Sequence, residues 1–203
     1  MSGPATVFIV DDDEAVRDSL RMMIKAAGHS AATFSCANDF LDVCTPETQG
    51  CIILDVNMPN MDGPALQEEL TRREMRLPII FLSGQGTIPL SVRTIKAGAV
   101  DFLTKPVEGA VLLARVQEAL EQCSIQQKQA NASQSIVARL AMLTEREREV
   151  MMLAVAGHTS KEIALRLDIS YRTVEIHRAR VMQKSGASNM MELARIAALQ
   201  SPQ

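Results

Sequence analysis

Short apolar runs alternate with stretches of helical periodicity along the first 120 residues. Runs rich in Val, Ile, Leu and Phe predict five β-strands, at 6–10, 31–34, 51–54, 78–82 and 99–103. Between these runs, apolar residues recur every three or four positions, which predicts helices over about 16–27, 39–43, 64–74 and 88–97, and from 108 onward. Strands that alternate with helices form a parallel sheet covered on both faces. The pattern therefore predicts a doubly wound α/β domain.

From Leu140 onward the periodicity is purely helical. Thr144 and Glu147 have the spacing of a capping box, which predicts a helix that begins there and ends before Gly157. Three further helices are predicted over 161–167, 171–184 and 189–199. Only a short turn, 168–170, separates the second and third of these helices, as in a helix-turn-helix. An all-α domain therefore follows the α/β domain.

The segment 121–139 lies between the two patterns and is rich in Gln. It lacks Pro and Gly, so its composition is compatible both with a continuous helix and with a flexible tether. Because Gln, Ala and Lys favour helices, we expect this segment to be partly helical. The predicted organisation is a first domain over 1–120, a linker over 121–139 and a second domain over 140–203.

Charge is distributed unequally between the two halves. Residues 1–120 contain 10 Lys/Arg and 16 Asp/Glu, a net charge of −6, whereas residues 121–203 contain 11 and 8, a net charge of +3. The basic second half is a candidate for nucleic-acid binding. No apolar run approaches a membrane span, so we expect a cytoplasmic protein with no membrane partner. The four cysteines have no C-x-x-C spacing, and we expect neither a zinc site nor a disulfide framework.

Chemically active side chains follow four of the predicted strands. Asp11 and Asp12 follow the first strand, Asp55 the third, Ser83 the fourth and Lys105 the fifth. Each has a structural explanation when taken alone: a solvated acidic turn, a strand-terminal turn, a helix cap or a surface lysine. Because the carboxyl ends of parallel strands meet at one edge of the sheet, their coincidence favours one shared crevice.

Such a crevice suits phosphoryl transfer. Clustered carboxylates stay ionised together only beside a cation, and their hard oxygen atoms suit Mg²⁺. An Asp carboxylate can act as a nucleophile and form an aspartyl phosphate, while a metal ion and Lys105 neutralise charge on the transferred oxygens. An Asp-nucleophile phosphatase would need the same groups. It would also need a second acid/base and a substrate-binding cap, for which the sequence offers no candidate.

Residues 5–122 resemble a response-regulator receiver domain, through a highly specific set of motifs. The matching stretches are 10–13 (VDDD), 54–63 (LDVNMPNMDG), 82–84 (LSG), 96–99 (KAGA) and 102–106 (FLTKP). The resemblance implies a flavodoxin-like (βα)5 fold with sheet order 2-1-3-4-5. It also implies that a sensor histidine kinase is the partner, and that the protein is not an enzyme beyond its own phosphoryl transfer and dephosphorylation.

The resemblance assigns roles to individual residues. Asp55 would be the phosphoacceptor, and Ser83 and Lys105 would contact the phosphoryl oxygens. Phe102 would be the aromatic residue that moves inward on activation. Such domains commonly have a cis peptide bond before the proline that follows the lysine, here Pro106. Ser83 stands where threonine is commoner, which keeps the hydroxyl group.

The resemblance also assigns ligands for Mg²⁺. Asp12, Asp55 and the backbone carbonyl of Asn57 would bind the ion directly, and Asp11 would reach it through water. Val107 departs from the phenylalanine that many relatives have after the Lys-Pro pair. This departure removes no chemical group from the site.

The third predicted helix of the second half is basic. Arg172, Arg178, Arg180 and Lys184 outweigh Glu175 there, which gives a local net charge of +3. A solvated basic face would explain this charge alone. As the second member of a helix-turn-helix, however, the helix is expected to lie in a DNA major groove, where its long cations neutralise phosphates.

Residues 140–200 resemble the LuxR-type DNA-binding domain, and the two-domain arrangement resembles the FixJ subgroup of response regulators. The matching stretches include 143–147 (LTERE), 161–164 (KEIA), 169–170 (IS), 172–175 (RTVE) and 181–184 (VMQK). The aligned base-facing positions hold Glu175, Ile176 and Ala179. The other expected DNA contacts are Lys161, Arg172, Thr173, His177, Arg178, Arg180 and Lys184. For His177 two interpretations stay open, a buried ring that donates to a phosphate and a simple core residue.

Together these observations predict a transcriptional response regulator of a two-component system. The resemblance implies that a histidine kinase phosphorylates Asp55, and that phosphorylation promotes dimerisation through the region 90–103 and binding to promoter DNA. RNA polymerase is a further expected partner. The alternative is a DNA-binding protein controlled without phosphorylation, because such a second domain also follows small-molecule sensors. The full set of phosphorylation residues argues against that alternative.

Overall fold

The computed structural model describes residues 5–84 and 88–198, which form two compact units that meet between Gln127 and Lys128. The first unit contains five parallel strands in the order β2-β1-β3-β4-β5. They are β1 (Thr6–Val10), β2 (Ser30–Phe34), β3 (Gly50–Asp55), β4 (Ile79–Ser83) and β5 (Asp101–Thr104). The predicted α/β fold and its strand order are confirmed.

Four helices connect these strands. They are α1 (Glu14–Ala26), α2 (Ala37–Val43), α3 (Gly63–Arg72) and α4 (Ile88–Lys96). The Asp13 side chain caps α1 by accepting two backbone N–H bonds, and Asp62 caps α3, which has Pro64 in its first turn. Each helix therefore begins a few residues after a strand ends, which keeps the connecting loops short at the carboxyl edge of the sheet.

The sheet buries apolar side chains on both faces. Along β1, Val7 and Ile9 point to one core while Phe8 and Val10 point to the other, as strand alternation requires. β3 is buried along its whole length because β1 and β4 flank it and helices cover both faces. The strand order reverses between β1 and β3, and in such sheets the crevice for a ligand opens at the carboxyl ends of these two strands.

Helix α5 (Gly109–Ala141) is continuous over 33 residues, where the sequence predicted a partly helical linker at 121–139. Leu112 and Val116 are buried in the core of the first unit, and Leu140 is buried in the core of the second. The stretch between them has no Pro or Gly to end the helix, and its Gln and Ala residues favour helical backbone. The boundary between the two units therefore falls inside a helix.

The second unit is helical, as predicted. It contains α6 (Glu145–Val155), α7 (Ser160–Leu167), α8 (Tyr171–Ser185) and α9 (Met190–Ala198). Leu199, the predicted end of the last helix, lies outside the described residues. Asp168 adopts a left-handed conformation that ends α7, and Ser170 caps α8, so these two helices form the predicted helix-turn-helix. Among the described helices, none is long and apolar enough to cross a membrane.

A buried ion pair joins α6 to α8. Glu147 is 1% exposed, and its Oε2 accepts hydrogen bonds from the Thr144 N–H at 2.9 Å and from the Lys184 ammonium at 2.6 Å. Lys184 also donates to the Met142 carbonyl at 3.2 Å. The hydrogen bond from Lys184, acting against burial, lowers the pKa of the Glu147 carboxyl. One carboxylate therefore caps α6 and also fixes the last turns of α8.

We predict that Glu147→Gln destabilises the second unit. The amide oxygen can still accept from Thr144, but Lys184 loses its counter-charge. Removing one partner of a fully buried pair costs about 3–5 kcal/mol, and because Lys184 is one-third exposed we expect a loss of about 2 kcal/mol in the free energy of unfolding. Urea unfolding followed by circular dichroism measures this loss at pH 7.

The same pair should make the second unit sensitive to acid. The pKa of Glu147 in the folded chain lies below its ordinary value of 4.5. The pair's contribution is therefore complete above about pH 4.5 and is lost as the pH falls through the folded-state pKa. Glu149→Gln is the control, since this carboxylate lies in an exposed ion pair with Arg146 and should change stability by less than about 0.5 kcal/mol. Equal losses in the two variants would contradict the assigned role.

Candidate functional sites

Three strand ends converge at the carboxyl edge of the sheet. Asp11 follows β1 and is 2% exposed, Asp55 ends β3 and is 7% exposed, and Lys105 follows β5. The Lys105 Nζ lies 2.6 Å from Asp11 Oδ2 and 2.6 Å from Asp55 Oδ1. Because β4 separates β3 from β5, the length of a lysine side chain is what brings these groups together. The predicted convergence of strand-end side chains is present in the structure.

Backbone N–H groups hold the other two carboxylate oxygens. The N–H of Asp13 donates to Asp11 Oδ1 at 2.9 Å, and the N–H of Asn57 donates to Asp55 Oδ2 at 2.7 Å. Both donors follow their carboxylate by two residues, in the geometry of an Asx turn. The loops after β1 and β3 therefore fix the orientation of both carboxylates.

Ser83 and Asp12, two other predicted site residues, differ in their exposure to solvent. Ser83 is fully buried at the end of β4, and its carbonyl accepts the N–H of Lys105 at 2.7 Å. The peptide bond between Lys105 and Pro106 is cis. Asp12, expected to bind a metal ion directly, is exposed. The site thus contains two buried carboxylates, one ammonium, one buried serine and an exposed carboxylate beside them.

Burial and charge act in opposite directions on this site. Burial raises the pKa of the Asp55 carboxyl above its ordinary value, against the hydrogen bond from Lys105. Burial also works to lower the pKa of the Lys105 ammonium, but the hydrogen bonds to Asp11 and Asp55 outweigh it, and the pKa is raised. At neutral pH the ammonium therefore stays charged and holds two carboxylates that would otherwise repel each other.

The side chains present fit a divalent cation by their chemistry. Asp11, Asp12 and Asp55 offer hard oxygen atoms, and Lys105 balances only one of their three charges. In the described ranges, no three His, Cys, Asp or Glu side chains are grouped closely enough to hold a metal. The reason is that two carboxylates turn toward Lys105 while Asp12 faces solvent. Binding of Mg²⁺ would require the three carboxylates to turn toward a common point.

Phe81 is a residue of this site that the sequence did not single out. Its ring is fully buried and stacks on that of Phe102, with centroids 6.2 Å apart and planes inclined by 28°. Gly63 packs against the same ring: a Cβ there would lie 2.9 Å from Phe81 Cε1 and 2.5 Å from the Asp55 carbonyl oxygen. Phe81 thus lies between the loop after Asp55 and the expected switch aromatic. In the sequence it is one apolar residue of a buried strand, and only the register of β4 against β5 shows its contact.

Helix α4 exposes an apolar stripe. Ile88, Val92 and Ile95 are spaced by four and three residues and are all exposed, whereas Thr94 is buried. An amphipathic helix normally turns such a stripe toward a core. The stripe overlaps the region 90–103 in which dimerisation was expected.

A cleft of about 550 Å³ opens beside Lys105. Its lining is mainly apolar and includes Val16 and Met23 of α1, and Pro106 and Val107 after β5. Val107 is the residue that departs from the usual phenylalanine, and a larger side chain at this position would fill part of the cleft.

The second candidate site is the exposed side of α8. Five of the expected DNA contacts are exposed there, namely Arg172, Glu175, Ile176, Ala179 and Arg180, and Lys161 is exposed on α7. Val174 and Val181 bury the opposite side of the helix. Thr173 is half-buried, and its hydroxyl group lies 2.8 Å from that of Ser170, the cap of α8.

Two expected phosphate contacts are engaged inside the protein. Lys184 binds Glu147 and the Met142 carbonyl, so its ammonium is engaged inside the second unit. Arg178 donates from Nη1 to the Ser160 hydroxyl at 3.1 Å, which ties α8 to the first turn of α7. The sequence showed four cations on this helix but not which of them had internal acceptors.

His177 combines features of both interpretations given to it. Its Nδ1 is buried and has no hydrogen-bond partner, so this part of the ring behaves as core. The residue as a whole is only half-buried. The outer part of the ring is therefore available for a contact at the surface.

Comparison with known families identifies both units. Residues 7–117 match the model of the response regulator receiver domain. Residues 141–197 match that of the bacterial regulatory proteins of the luxR family. The two matches cover both candidate sites.

Several relatives match this chain along nearly its whole length. The chain is 40% identical to the transcriptional regulatory protein FixJ of Bradyrhizobium diazoefficiens, over 97% of this chain and 96% of that protein. It is 43% identical to the transcriptional regulatory protein TdiR of Thauera aromatica, over 93% and 83% of the two chains. Among solved structures, the response regulator StyR matches with a TM-score of 0.88 and 38% identity, over 97% of this chain and 99% of that one.

We predict that Lys105→Met raises the pKa of Asp55 further. An opposite charge within hydrogen-bond distance lowers a carboxyl pKa by about 1 to 3 pH units, and the variant removes that charge. Carboxyl ¹³C chemical shifts, followed against pH in EDTA, measure the titration. Lys96→Met, which removes an exposed lysine at the end of α4, is the control and should leave the Asp55 titration unchanged. An unchanged titration in Lys105→Met would show that Lys105 does not stabilise the carboxylate in solution.

Proposed function

This chain belongs to the two-domain response regulators, in which a receiver domain precedes a LuxR-type DNA-binding domain, and we propose that phosphoryl transfer to Asp55 controls its binding to promoter DNA. It is a transcriptional response regulator of a two-component system. The observation that carries the proposal is the contact of a single ammonium, Lys105, with two buried carboxylates at adjacent strand ends.

The phosphoryl donor is a phosphohistidine of a sensor kinase. An Asp55 carboxylate oxygen attacks the phosphorus, so that an O–P bond forms while the P–N bond breaks, and the departing imidazole nitrogen takes up a proton from solvent. Lys105 already contacts the attacking carboxylate and is placed to pair with the transferred oxygens. The buried Ser83 at the neighbouring strand end supplies a hydroxyl group next to them. The chemistry of the protein is limited to this transfer and to its own dephosphorylation.

Asp11, Asp12, Asp55 and the backbone carbonyl of Asn57 would hold Mg²⁺. When bound, the ion neutralises charge on the transferred oxygens. The support for this assignment is the charge of the cluster, since Lys105 balances only one of the three carboxylates. Asp11 and Asp55 already lie close enough to share the Lys105 ammonium.

The cleft beside Lys105 is where a kinase helix would dock. Its apolar lining, with Val16, Met23 and Val107, suits the side chains of an amphipathic helix. A phosphohistidine on such a helix would then approach the edge of the sheet where Asp55 lies.

The exposed stripe on α4 supports dimerisation through this helix. Ile88, Val92 and Ile95 are exposed in the described chain, and a second copy of the same stripe would bury them in an isologous interface. Phe81 links this side of the unit to the phosphorylation loop through its contacts with Gly63 and Phe102. Phosphorylation would change the packing of Gly63, Phe81 and Phe102 and so favour the dimer.

The DNA contacts are made by α8, with Lys161 from α7. The exposed set is Arg172, Glu175, Ile176, Ala179 and Arg180, and Thr173, His177 and Arg178 lie at its edges. Lys184 is left out of the interface because Glu147 holds it. A dimer would place two such helices on two half-sites of a promoter, where RNA polymerase is the further partner.

We predict that Asp55→Asn abolishes labelling by acetyl phosphate in the presence of Mg²⁺. The amide is not a nucleophile, and it also removes a charge that would bind the ion. Intact-mass spectrometry should show one phosphoryl group on the wild type and none on the variant, and a DNA footprint should strengthen only in the wild type. Asp18→Asn, a change in an exposed pair with Arg21, is the control. Labelling that persists in Asp55→Asn, or that proceeds equally in EDTA, would refute the proposal.

We also predict that Val92→Glu separates phosphorylation from dimerisation. Burying an unpaired carboxylate costs about 3 kcal/mol or more, so the dimer dissociation constant should rise by at least about 100-fold. Labelling should be unchanged, because Val92 is an exposed residue of α4 and is not one of the side chains that form the phosphorylation site. Sedimentation of the labelled proteins measures the dimer. Met22→Glu places the same charge at another exposed apolar residue, on α1, and should dimerise like the wild type. A dimer of normal strength in Val92→Glu would place the interface elsewhere.

A further inference from the structure

The four cations of α8 fall into two pairs. Arg178 and Lys184 bind acceptors inside the second unit, namely the Ser160 hydroxyl and the Glu147 carboxylate. Arg172 and Arg180 are exposed, and none of the hydrogen bonds or ion pairs found within residues 5–84 and 88–198 involves either of them. Among the described residues, these two guanidinium groups of the helix are thus the ones without an internal partner.

Arg172 lies on the line of α8 that points directly away from the core. Val174, Val181 and Ser185 are the buried residues of the helix. At 3.6 residues per turn, the line opposite to them passes through four residues, all exposed: Arg172, Ile176, Ala179 and Gln183. Arg180 lies about 70° to one side of this line and Glu175 about 70° to the other. A helix seated in a groove directs its central line to the base edges and its flanks to the two backbones.

The position of Arg172 along the helix axis also favours a contact with base edges. It is the second residue of α8, and recognition helices of this motif contact base edges with their N-terminal residues. Arg180 lies two turns farther on, about 12 Å along the axis. Ser170 caps the helix through the Thr173 N–H, which orders the turn from which Arg172 projects.

From this geometry we infer that Arg172 forms a bidentate contact with a guanine in each operator half-site, while Arg180 contacts a phosphate. The inference rests on the proposed DNA-binding function and deepens it, because it names a base. The planar guanidinium matches the O6 and N7 acceptors of guanine in the major groove. Ile176 and Ala179 follow on the same line and suit thymine methyl groups.

The test is selection of operators by the full chain from randomised DNA, after labelling with acetyl phosphate. The wild type should enrich sequences that hold one invariant G·C pair in each half-site. Arg172→Lys keeps the positive charge but loses the planar guanidinium that donates two parallel hydrogen bonds. Its preference for that pair should fall by roughly 5- to 150-fold, while affinity for unrelated DNA and the salt dependence stay nearly unchanged. Arg180→Lys is the matched control and should keep the same G·C preference.

A third variant, Arg180→Ala, tests the phosphate contact assigned to Arg180. It should weaken binding to all sequences alike and reduce the salt dependence by about one phosphate contact. The inference is overturned if Arg172→Lys keeps the G·C preference, or if Arg180→Lys loses it. It is also overturned if Arg172→Ala weakens all sequences alike with a reduced salt dependence, since Arg172 would then be a phosphate contact. If the wild type selects no sequence at all, the proposed function fails as well, so the two failures are distinguishable.

Discussion

The ammonium of Lys105 is the group on which the first unit depends. Asp11 and Asp55 are both buried, and two carboxylates at adjacent strand ends would repel each other without a cation between them. The contact also ties the end of β5 to the ends of β1 and β3 across the intervening β4. The oxygen atoms of a phosphoryl group on Asp55 would compete with the two carboxylates for the same ammonium. A change in charge at Asp55 would therefore act directly on Lys105, which follows β5.

The second unit also contains an ion pair between a lysine and a buried carboxylate, but this pair joins two helices. The Lys184 ammonium also lies 2.6 Å from a buried carboxylate, that of Glu147. Here the carboxylate accepts a second hydrogen bond from the Thr144 N–H, and the ammonium donates a second one to the Met142 carbonyl. The pair in the first unit is open to chemistry, whereas this one holds α8 at a fixed angle to α6. A rigid helix can present a defined line of side chains to a groove.

The sequence was sufficient for the parts of the structure that depend on local pattern. Apolar runs located the strands, and the acids, serine and lysine after them indicated the shared crevice, because parallel strands bring their ends together. The direction of individual long side chains was not accessible in this way. Nothing near Lys184 in the sequence identifies Glu147, 37 residues earlier, as its acceptor. The Phe81–Phe102 stack depends on strand register, and the continuity of α5 depends on cores at both of its ends, so these too required coordinates.

Tyr171 opens α8 beside Arg172, and it is 53% exposed. It is also the single tyrosine of the chain, which has no tryptophan. The tyrosine emission of the unmodified protein therefore comes from one ring, at the first turn of the recognition helix. Quenching of that emission by neighbouring groups responds to the surroundings of this turn and to nothing else in the chain. The composition thus gives the protein an intrinsic optical reporter at the place where base recognition is expected to begin, without any label or substitution.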